Sequence, residues 1–370
     1  MRRLKYLYVV GVFVALAVIV IPLADPGSGS SATAAGTESP FVSHSIKLYP
    51  SVEALGEALF FDGRLSGDTA ISCATCHQPH NAFTDGLALS DGFTSTSYFR
   101  NTPTLLNAGR LATSYWDGRV DGSDLSTVVR DHLIEAHFMA SDARIIQERM
   151  RQIPEYEQTF IELMGGEASF GKVRSALVAY LDSLESENNP YLDFVAGDAD
   201  ALSNAAQRGL TLFNGTAGCS MCHNGELLSD GQTHVTGVAD NPDIFSDPDR
   251  HISFRRFFRQ FGVGEFVTLR EDVGKFSITH DDEDRSAFRT PSLLEVGQTA
   301  PYMHNGTLGT LKDVVKFYNY GGDSEELAPL GLTDAEINDL VAFLSSLQSD
   351  ITPVDPPALP DYEIRELGVN

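Results

Sequence analysis

Positive charge is scarce in this chain of 370 residues. It contains 26 Lys and Arg against 51 Asp and Glu, which gives a formal net charge of −25 at pH 7. Nucleic acids and anionic membrane surfaces bind proteins through a positive face, so the balance argues against both as partners. The simplest use of the acidic residues is a solvated surface, and attraction of a basic protein partner is the alternative.

Cysteine and tryptophan are also rare, with four Cys and one Trp. All four cysteines fall in two copies of one pattern, C-A-T-C-H and C-S-M-C-H. Disulfides or structural zinc are alternatives, but neither explains a histidine directly after each pair. C-x-x-C-H is the attachment signature of c-type haem, in which both thiols bind the porphyrin and the histidine binds the iron. We therefore predict two covalently bound haems c, attached at Cys73, Cys76, Cys219 and Cys222, with His77 and His223 as iron ligands.

The first 40 residues have the pattern of an export signal. Three cations among the first five residues precede an uncharged apolar run, 6–23, and small residues follow it. The run of 18 residues is long for a cleaved signal and close to the lower limit for a membrane span. We expect residues 1–40 to be a signal or anchor with a linker. The rest of the chain is then periplasmic, with anchoring to the inner membrane by residues 6–23.

The surroundings of the two cysteine pairs repeat. ALGEALFFDGRLSG (54–67) and AAQRGLTLFNGTAG (205–218) precede them, and AFTDG (82–86) and ELLSDG (226–231) follow. The two histidines are 146 residues apart (223 − 77), a domain-sized period that indicates a duplicated unit and not a solenoid. The predicted domains are residues 45–188 and 189–347, followed by a tail, 348–370.

Most periodic segments have the spacing of helices. Residues 333–347 begin with a capping box, Thr333 followed by Glu336. The other predicted helices are 124–139, 142–153 and 170–186. The predicted fold is mainly α with few or no strands, as two cytochrome-c-like haem domains in tandem.

Residues 240–270 have the composition of an insertion, with Pro and Asp followed by FRRFFRQFGVGEF. Three arginines, Arg255, Arg256 and Arg259, lie among phenylalanines in this otherwise acidic chain. The favoured interpretation is a loop packed on its own aromatic side chains. A docking patch or a contact to haem propionates is the alternative.

Several segments between residues 50 and 347 resemble motifs of the bacterial dihaem cytochrome c peroxidases and the related MauG-type enzymes. They are LGEALFFDGRLSGDTAISCATCH, AFTDG, RNTPTLLN, YWDGR, CSMCHNGELLSDG, FRTPSLLEVGQTAPYMHNGTL and VVKFYNYGG. The resemblance implies a first haem that reacts with peroxide and a second haem that receives or stores electrons.

The resemblance also implies roles for residues between the haems. Trp116, in YWDGR, matches a tryptophan that carries electrons or holes between the haems of the family. From the residue alone, a single Trp is more often part of a core. The resemblance also implies a calcium ion between the haems, and amide and carbonyl oxygens suit a hard cation. Its ligands would be Asn101, Thr299 and Pro301, although an asparagine such as Asn101 also caps turns.

Tyr318 matches the position of the second haem's far ligand, fourteen residues after His304 (318 − 304). The dihaem peroxidases have methionine at this position, and the MauG-type enzymes have tyrosine. A phenolate favours oxidised iron, whereas a thioether favours ferrous iron. The resemblance therefore implies that Tyr318 binds the second iron, with packing of an amphipathic helix on the core as the alternative.

The far side of the first haem departs from the family pattern. A histidine often found there is replaced by Phe93, which predicts an open iron face. The family's acid–base glutamate falls on Phe138, so Glu135, His137 and His132 are the available substitutes. His137 has an ordinary pKa suited to proton transfer near neutral pH, and a helix-surface histidine is the alternative. The predicted catalytic residues are Trp116, His137 and Glu135.

These expectations describe a dihaem c-type oxidoreductase. It would react with hydrogen peroxide at the N-terminal haem and exchange electrons through Trp116 with the C-terminal haem. A small redox protein or a protein substrate would be its partner. The alternative is a non-enzymatic electron-transfer cytochrome with both irons six-coordinate, in which His137 or Met139 binds the first iron.

Overall fold

The structure is a computed structural model, and it describes residues 47–93, 96–186, 188–350 and 354–362. These residues belong to one compact unit, Ile46–Asn370. The predicted signal, anchor and linker, residues 1–40, lie outside the described residues. Within the described ranges, no helix is long and apolar enough to cross a membrane.

The described residues form thirteen α-helices and two small antiparallel sheets of two strands each, which confirms the mainly α prediction. The helices are α1 (Val52–Phe61), α2 (Cys73–Cys76), α3 (Leu125–Ile134), α4 (Ala143–Arg151), α5 (Pro154–Met164), α6 (Phe170–Asp182), α7 (Pro190–Val195), α8 (Asn204–Asn214), α9 (Asp243–Ser246), α10 (Pro248–Gln260), α11 (Phe276–Thr279), α12 (Leu311–Asn319) and α13 (Asp334–Ser345). The strands are β1 (Thr113–Ser114), β2 (Val120–Asp121), β3 (Thr233–His234) and β4 (Phe288–Arg289). β1 pairs with β2, and β3 pairs with β4.

Two helix pairs, each with a glycine where the helices cross, form the two larger cores. α1 meets α6 at Gly56, where an added Cβ would lie 2.0 Å from the carbonyl oxygen of Ala176. α8 meets α13 at Gly209, where an added Cβ would lie 2.0 Å from the carbonyl oxygen of Asp339. The first core draws on residues between 49 and 184 and the second on residues between 191 and 347. The domain boundaries in this region stay a prediction.

Local hydrogen bonds explain where one predicted helix begins and where another ends. α13 begins after the predicted capping box, in which Thr333 N–H donates to the Glu336 carboxylate at 2.8 Å. The prediction for 124–139 is wrong in its extent, because α3 ends at Ile134. There the chain turns back, and the N–H groups of Met139 and Ser141 donate to the last helical carbonyls.

The inserted segment is a helix and not a loop, which corrects the favoured interpretation. α10 spans Pro248–Gln260, and Asp247 caps it by accepting hydrogen bonds from two backbone N–H groups. Its residues Phe254, Phe257 and Phe258 are buried around Phe99 of the N-terminal half, with ring centroids 5.1–5.7 Å apart. A third aromatic core therefore joins the insertion to the segment that precedes Arg100.

Candidate functional site

The first C-x-x-C-H segment folds into α2 and the turn after it. The thiols of Cys73 and Cys76 form no disulfide, and burial raises their pKa values to about 12 and about 11. His77 donates from Nδ1 to the carbonyl oxygen of Phe83 at 3.1 Å. This bond leaves Nε2 as the free nitrogen, and burial lowers the pKa of the ring so that it stays neutral. Two unpaired thiols and a neutral, oriented imidazole fit the attachment of a c-type haem at haem site 1.

The second C-x-x-C-H segment forms a 3₁₀ turn instead of an α-helix, but it presents the same groups. Cys219 and Cys222 are free thiols whose pKa values are raised by burial. His223 donates from Nδ1 to the carbonyl oxygen of Leu228 at 3.0 Å, and burial lowers its pKa. Haem site 2 therefore offers the same set of groups for covalent attachment and iron binding.

Tyr318 lies on α12 next to haem site 2. Burial, with a smaller contribution from the neighbouring thiols of Cys219 and Cys222, raises the pKa of its hydroxyl to about 12. The hydroxyl forms no hydrogen bond to any residue within the described ranges. A half-buried phenol without a partner, beside the two attachment thiols, is suited to bind a metal on that side of the site.

The peptide segments that hold the two sites share an equivalent hydrogen bond. Thr104 donates from Oγ1 to the carbonyl oxygen of Ala82 at 2.7 Å, and Ser292 donates in the same way to Leu227 at 2.8 Å. These residues belong to the repeated segments RNTPTLLN and RTPSLLE. The duplication seen around the cysteines therefore extends through the supporting loops.

Trp116 contacts both copies of the repeated segment. Its indole N–H donates to the carbonyl oxygen of Asn101 at 2.9 Å. Its own carbonyl oxygen accepts from the backbone N–H of Arg289 at 2.8 Å. The half-buried indole is thus held by its side chain to one copy and by its backbone to the other.

The residues after Trp116 form a buried ion network. Asp117 accepts from Arg100 Nη1 at 2.6 Å and from Arg119 Nη1 at 2.9 Å. Arg100 also binds Asp272 through two parallel bonds of 2.6 and 2.8 Å. Although burial alone would raise the pKa of Asp117, the two guanidinium groups lower it below its usual range. This network fixes the loop that carries Trp116.

Three rings, those of His132, Phe138 and His137, follow one another outward from His77. The ring centroids of His132 and His77 are 6.3 Å apart. The ring of Phe138 stacks on His132 at 4.3 Å and lies 4.3 Å from the ring of His137. The structure therefore places His132 beside His77, and His137 one ring further away.

The predicted acid–base residues lie at the edge of this cluster. His137 stacks on Tyr98 at 5.2 Å, and its buried Nε2 has no partner among the described residues. Glu135 directly follows α3 as its C-cap, and its carboxylate accepts a hydrogen bond from the side-chain amide of Gln260 at 3.2 Å. Burial lowers the pKa of His137 to about 3. The catalytic roles of His137 and Glu135 stay a prediction. Phe93, at the position where the family often has a histidine, is half-buried in the loop before Arg100.

Arg289 is a buried cation next to haem site 2. Burial lowers its pKa to about 10, and within the described ranges it forms no ion pair. It lines a cavity of about 330 Å³ together with Ser229 and Asp230. A buried guanidinium of this kind suits an anionic group such as a haem propionate.

The predicted calcium ligands lie in two neighbouring segments. The backbone N–H of Asn101 donates to the carbonyl oxygen of His304 at 2.8 Å. The Asn101 side-chain amide donates to the carbonyl oxygen of Leu87 at 2.7 Å. Thr299 and Pro301 belong to the turn that leads to His304, so the structure brings the two segments together at one end of the turn.

Comparisons with known proteins agree with this geometry. The sequence profile described as di-haem cytochrome c peroxidase matches residues 50–200. Cytochrome-c peroxidase IdrP2 of Denitromonas iodatirespirans is 45% identical over 317 residues, covering 85% of this chain and 86% of that protein.

Two further relatives extend the comparison. The methylamine utilization protein MauG of Methylorubrum extorquens is 33% identical, covering 85% of this chain and 82% of that protein. The crystal structure of a MauG-like protein associated with microbial copper homeostasis superimposes with a TM-score of 0.69 at 28% identity, covering 82% of this chain and 91% of that one. This chain therefore belongs to the dihaem cytochrome c peroxidase and MauG family, and it is a peroxidase-type oxidoreductase with two c-type haems.

Proposed function

We propose that the protein reacts with hydrogen peroxide at haem site 1 and exchanges electrons through Trp116 with haem site 2. The observation that carries the proposal is the position of Trp116, which is hydrogen-bonded to the supporting segments of both sites. Bound haem supplies an iron that can cleave peroxide and hold oxidising equivalents. The protein supplies attachment, orientation and a path for electrons.

The side chains around Trp116 are suited to such a path. The indole N–H donates to the carbonyl oxygen of Asn101, and the next residue, Asp117, accepts hydrogen bonds from two arginines. A fixed aromatic ring needs little reorganisation when it passes an electron. Arg289, the buried cation next to haem site 2, would hold a propionate of the second haem.

At haem site 2 we assign Tyr318 as the far iron ligand. An anionic oxygen donor stabilises oxidised iron, so this site is built to store oxidising equivalents. That preference favours oxidation of another molecule, such as a small redox protein or a protein side chain, over simple removal of peroxide. A calcium ion held by Asn101, Thr299 and Pro301 completes the proposed cofactor set, and the proposed location is the periplasm.

The experiment is a rapid mixing of the ferric holoprotein with hydrogen peroxide, followed by absorption spectroscopy. We expect spectral changes at both haems in the wild type. Trp116→Phe should keep the change at haem 1 and slow the change at haem 2, because the connecting indole is lost. Tyr320→Phe, which removes the hydroxyl of an exposed ring, is the control. A wild-type protein whose spectrum does not respond to peroxide would contradict the proposal.

A further inference from the structure

Two imidazoles lie close together at haem site 1. The rings of His77 and His132 have centroids 6.3 Å apart and planes inclined at 57°. A histidine nitrogen lies about 2.0 Å from a bound metal and about 1.1 Å from the centre of its own ring. Two histidines on opposite sides of one metal therefore have centroids about 6.2 Å apart. The observed separation matches this value.

His132 also has the hydrogen bond that orients a metal-binding histidine. Its Nδ1 donates to the carbonyl oxygen of Val128 at 2.9 Å, and the Tyr115 hydroxyl lies 3.3 Å from the same nitrogen. This leaves Nε2 as the free nitrogen, as in His77 and His223. Histidines that bind metals almost always donate their other ring N–H to such a partner.

Two aromatic rings pack against the ring of His132. The Tyr115 ring lies 5.6 Å away with planes 7° apart, and the Phe138 ring lies 4.3 Å away with planes 13° apart. The guanidinium of Arg119 in turn lies 3.3 Å from the centre of the Tyr115 ring. A ring fixed in this way is preorganised for one position of its free nitrogen.

The same spacing excludes His132 as a proton-transfer residue in this conformation. Such a residue must lie about 3 Å from an oxygen that is itself bound to the iron. The two ring centroids would then be about 8–9 Å apart, and the observed 6.3 Å leaves no room for peroxide between them. We propose that His132 would be the sixth ligand of a haem iron bound by His77 at haem site 1, and its imidazole would have to leave before another ligand could bind there.

This coordination replaces the open iron face predicted from Phe93. It also differs from the ligands predicted for the electron-transfer alternative, His137 and Met139, because His137 lies behind Phe138. It needs only haem attachment at site 1 and does not depend on peroxide as the substrate.

Electron paramagnetic resonance of the ferric holoprotein tests the proposal. We expect a low-spin signal from haem 1 in the wild type, its conversion to a high-spin signal in His132→Gly, and recovery of the low-spin signal when imidazole is added. His132→Met should stay low-spin with a shifted signal, since a thioether replaces the imidazole. His137→Gly, the matched control, should leave the spin state unchanged. A high-spin haem 1 in the wild type, or an unchanged low-spin signal in His132→Gly, would overturn the assignment.

Two further measurements distinguish loss of the ligand from misfolding. The reaction with peroxide distinguishes failure of the ligand assignment from failure of the proposed function. Covalent haem content and circular dichroism show whether each variant is folded and loaded. Loss of the low-spin signal in His132→Gly supports the ligand even if no variant reacts with peroxide, and that second outcome contradicts only the proposed function. Faster binding of cyanide to haem 1 in His132→Gly is expected, because the sixth position is vacated.

Discussion

Tyr318 and Tyr320 lie two residues apart in the chain but in different environments. Tyr318 is half-buried beside the thiols of haem site 2, and burial raises its pKa to about 12. Tyr320 is 75% exposed. A metal bound to Tyr318 would have to displace its proton, which a ferric ion does far more readily than a ferrous ion. Under the proposed assignment, this one side chain would therefore stabilise the oxidised state of haem site 2.

Replacing Tyr318 by phenylalanine removes the oxygen and keeps the ring. We expect Tyr318→Phe to change the low-spin signal of haem 2 and to raise its reduction potential, by on the order of 0.1 V, because the oxidised state loses an anionic ligand. Tyr320→Phe, the matched control, should change neither. Paramagnetic resonance and a redox titration of the holoprotein measure both effects. The same signal and potential in Tyr318→Phe and the wild type would exclude the tyrosine ligand.

Sequence predicts residues of these sites unequally, for a physical reason. Cys73, Cys76 and His77 act within one short segment, so a local pattern suffices to predict them. His132 approaches His77 through the packing of α3, and spacing along the chain does not contain that distance. Its leading rival, His137, lies beyond the end of α3, where helical periodicity no longer indicates direction.

At the scale of elements, the two haem sites depend on close crossings of helices. Phe60 of α1 packs on Tyr180 of α6, and Phe213 of α8 packs on Phe343 of α13 in the corresponding place. Each crossing has a glycine at its closest point, Gly56 or Gly209. The segments just before both haem attachment motifs are therefore positioned by contacts that tolerate no side chain.

Gly209→Ala should destabilise the protein by about 1–3 kcal/mol, because the new methyl group would overlap the carbonyl oxygen of Asp339. Gly171→Ala, in α6, is the matched control, since its added Cβ meets only Ser169 Oγ at 4.0 Å. That change should be neutral or stabilise the protein by about 0.5–1 kcal/mol, through a lower entropy of the unfolded chain. Urea unfolding of the two holoproteins measures the difference. Equal midpoints for the two variants would show that the α8–α13 crossing can relax.

Elements defined by local signals could be predicted, and elements defined by distant contacts could not. α13 follows its capping box and α6 its apolar face, as predicted. The phenylalanines of α10 have helical spacing but are buried by Phe99, about 150 residues earlier in the chain. Asp247 before Pro248 and this spacing are helix signals within the insertion itself, so only its burial partner, and not its helix, lay beyond local prediction.

At the scale of the whole molecule, the duplicated units share equivalent supports. Asn107 and Glu295 follow the repeated TPTLL and TPSLL segments, and both have a positive φ, 61° and 65°. Asn107 accepts from the backbone N–H of Ser186 at 3.1 Å, and Glu295 accepts from that of Ser349 at 2.8 Å. Ser186 also donates from its hydroxyl to Glu295, so one residue after α6 serves both copies. The copies are therefore joined by hydrogen bonds as well as by Trp116.

Arg100 joins the two halves through charge. It binds Asp117 in the N-terminal half and Asp272 in the C-terminal half, and all three side chains are at most 3% exposed. The rings of Phe99, Phe257 and Phe288 enclose its guanidinium at 5.2–5.7 Å. Water is therefore excluded from this junction, and removal of the cation would leave the Asp272 carboxylate buried without its partner.

Arg100→Ala is expected to lower the free energy of unfolding by about 3–5 kcal/mol, the usual cost of breaking a buried pair from one side. Arg144→Ala, which breaks an exposed pair with Asp142, should change it by less than about 0.5 kcal/mol. Urea unfolding followed by haem absorption compares the two. Because Asp117 also fixes the loop of Trp116, electron exchange between the haems should slow in Arg100→Ala under conditions where the protein remains folded. A stable Arg100→Ala variant with unchanged exchange would show that Arg119 alone is enough to hold that loop.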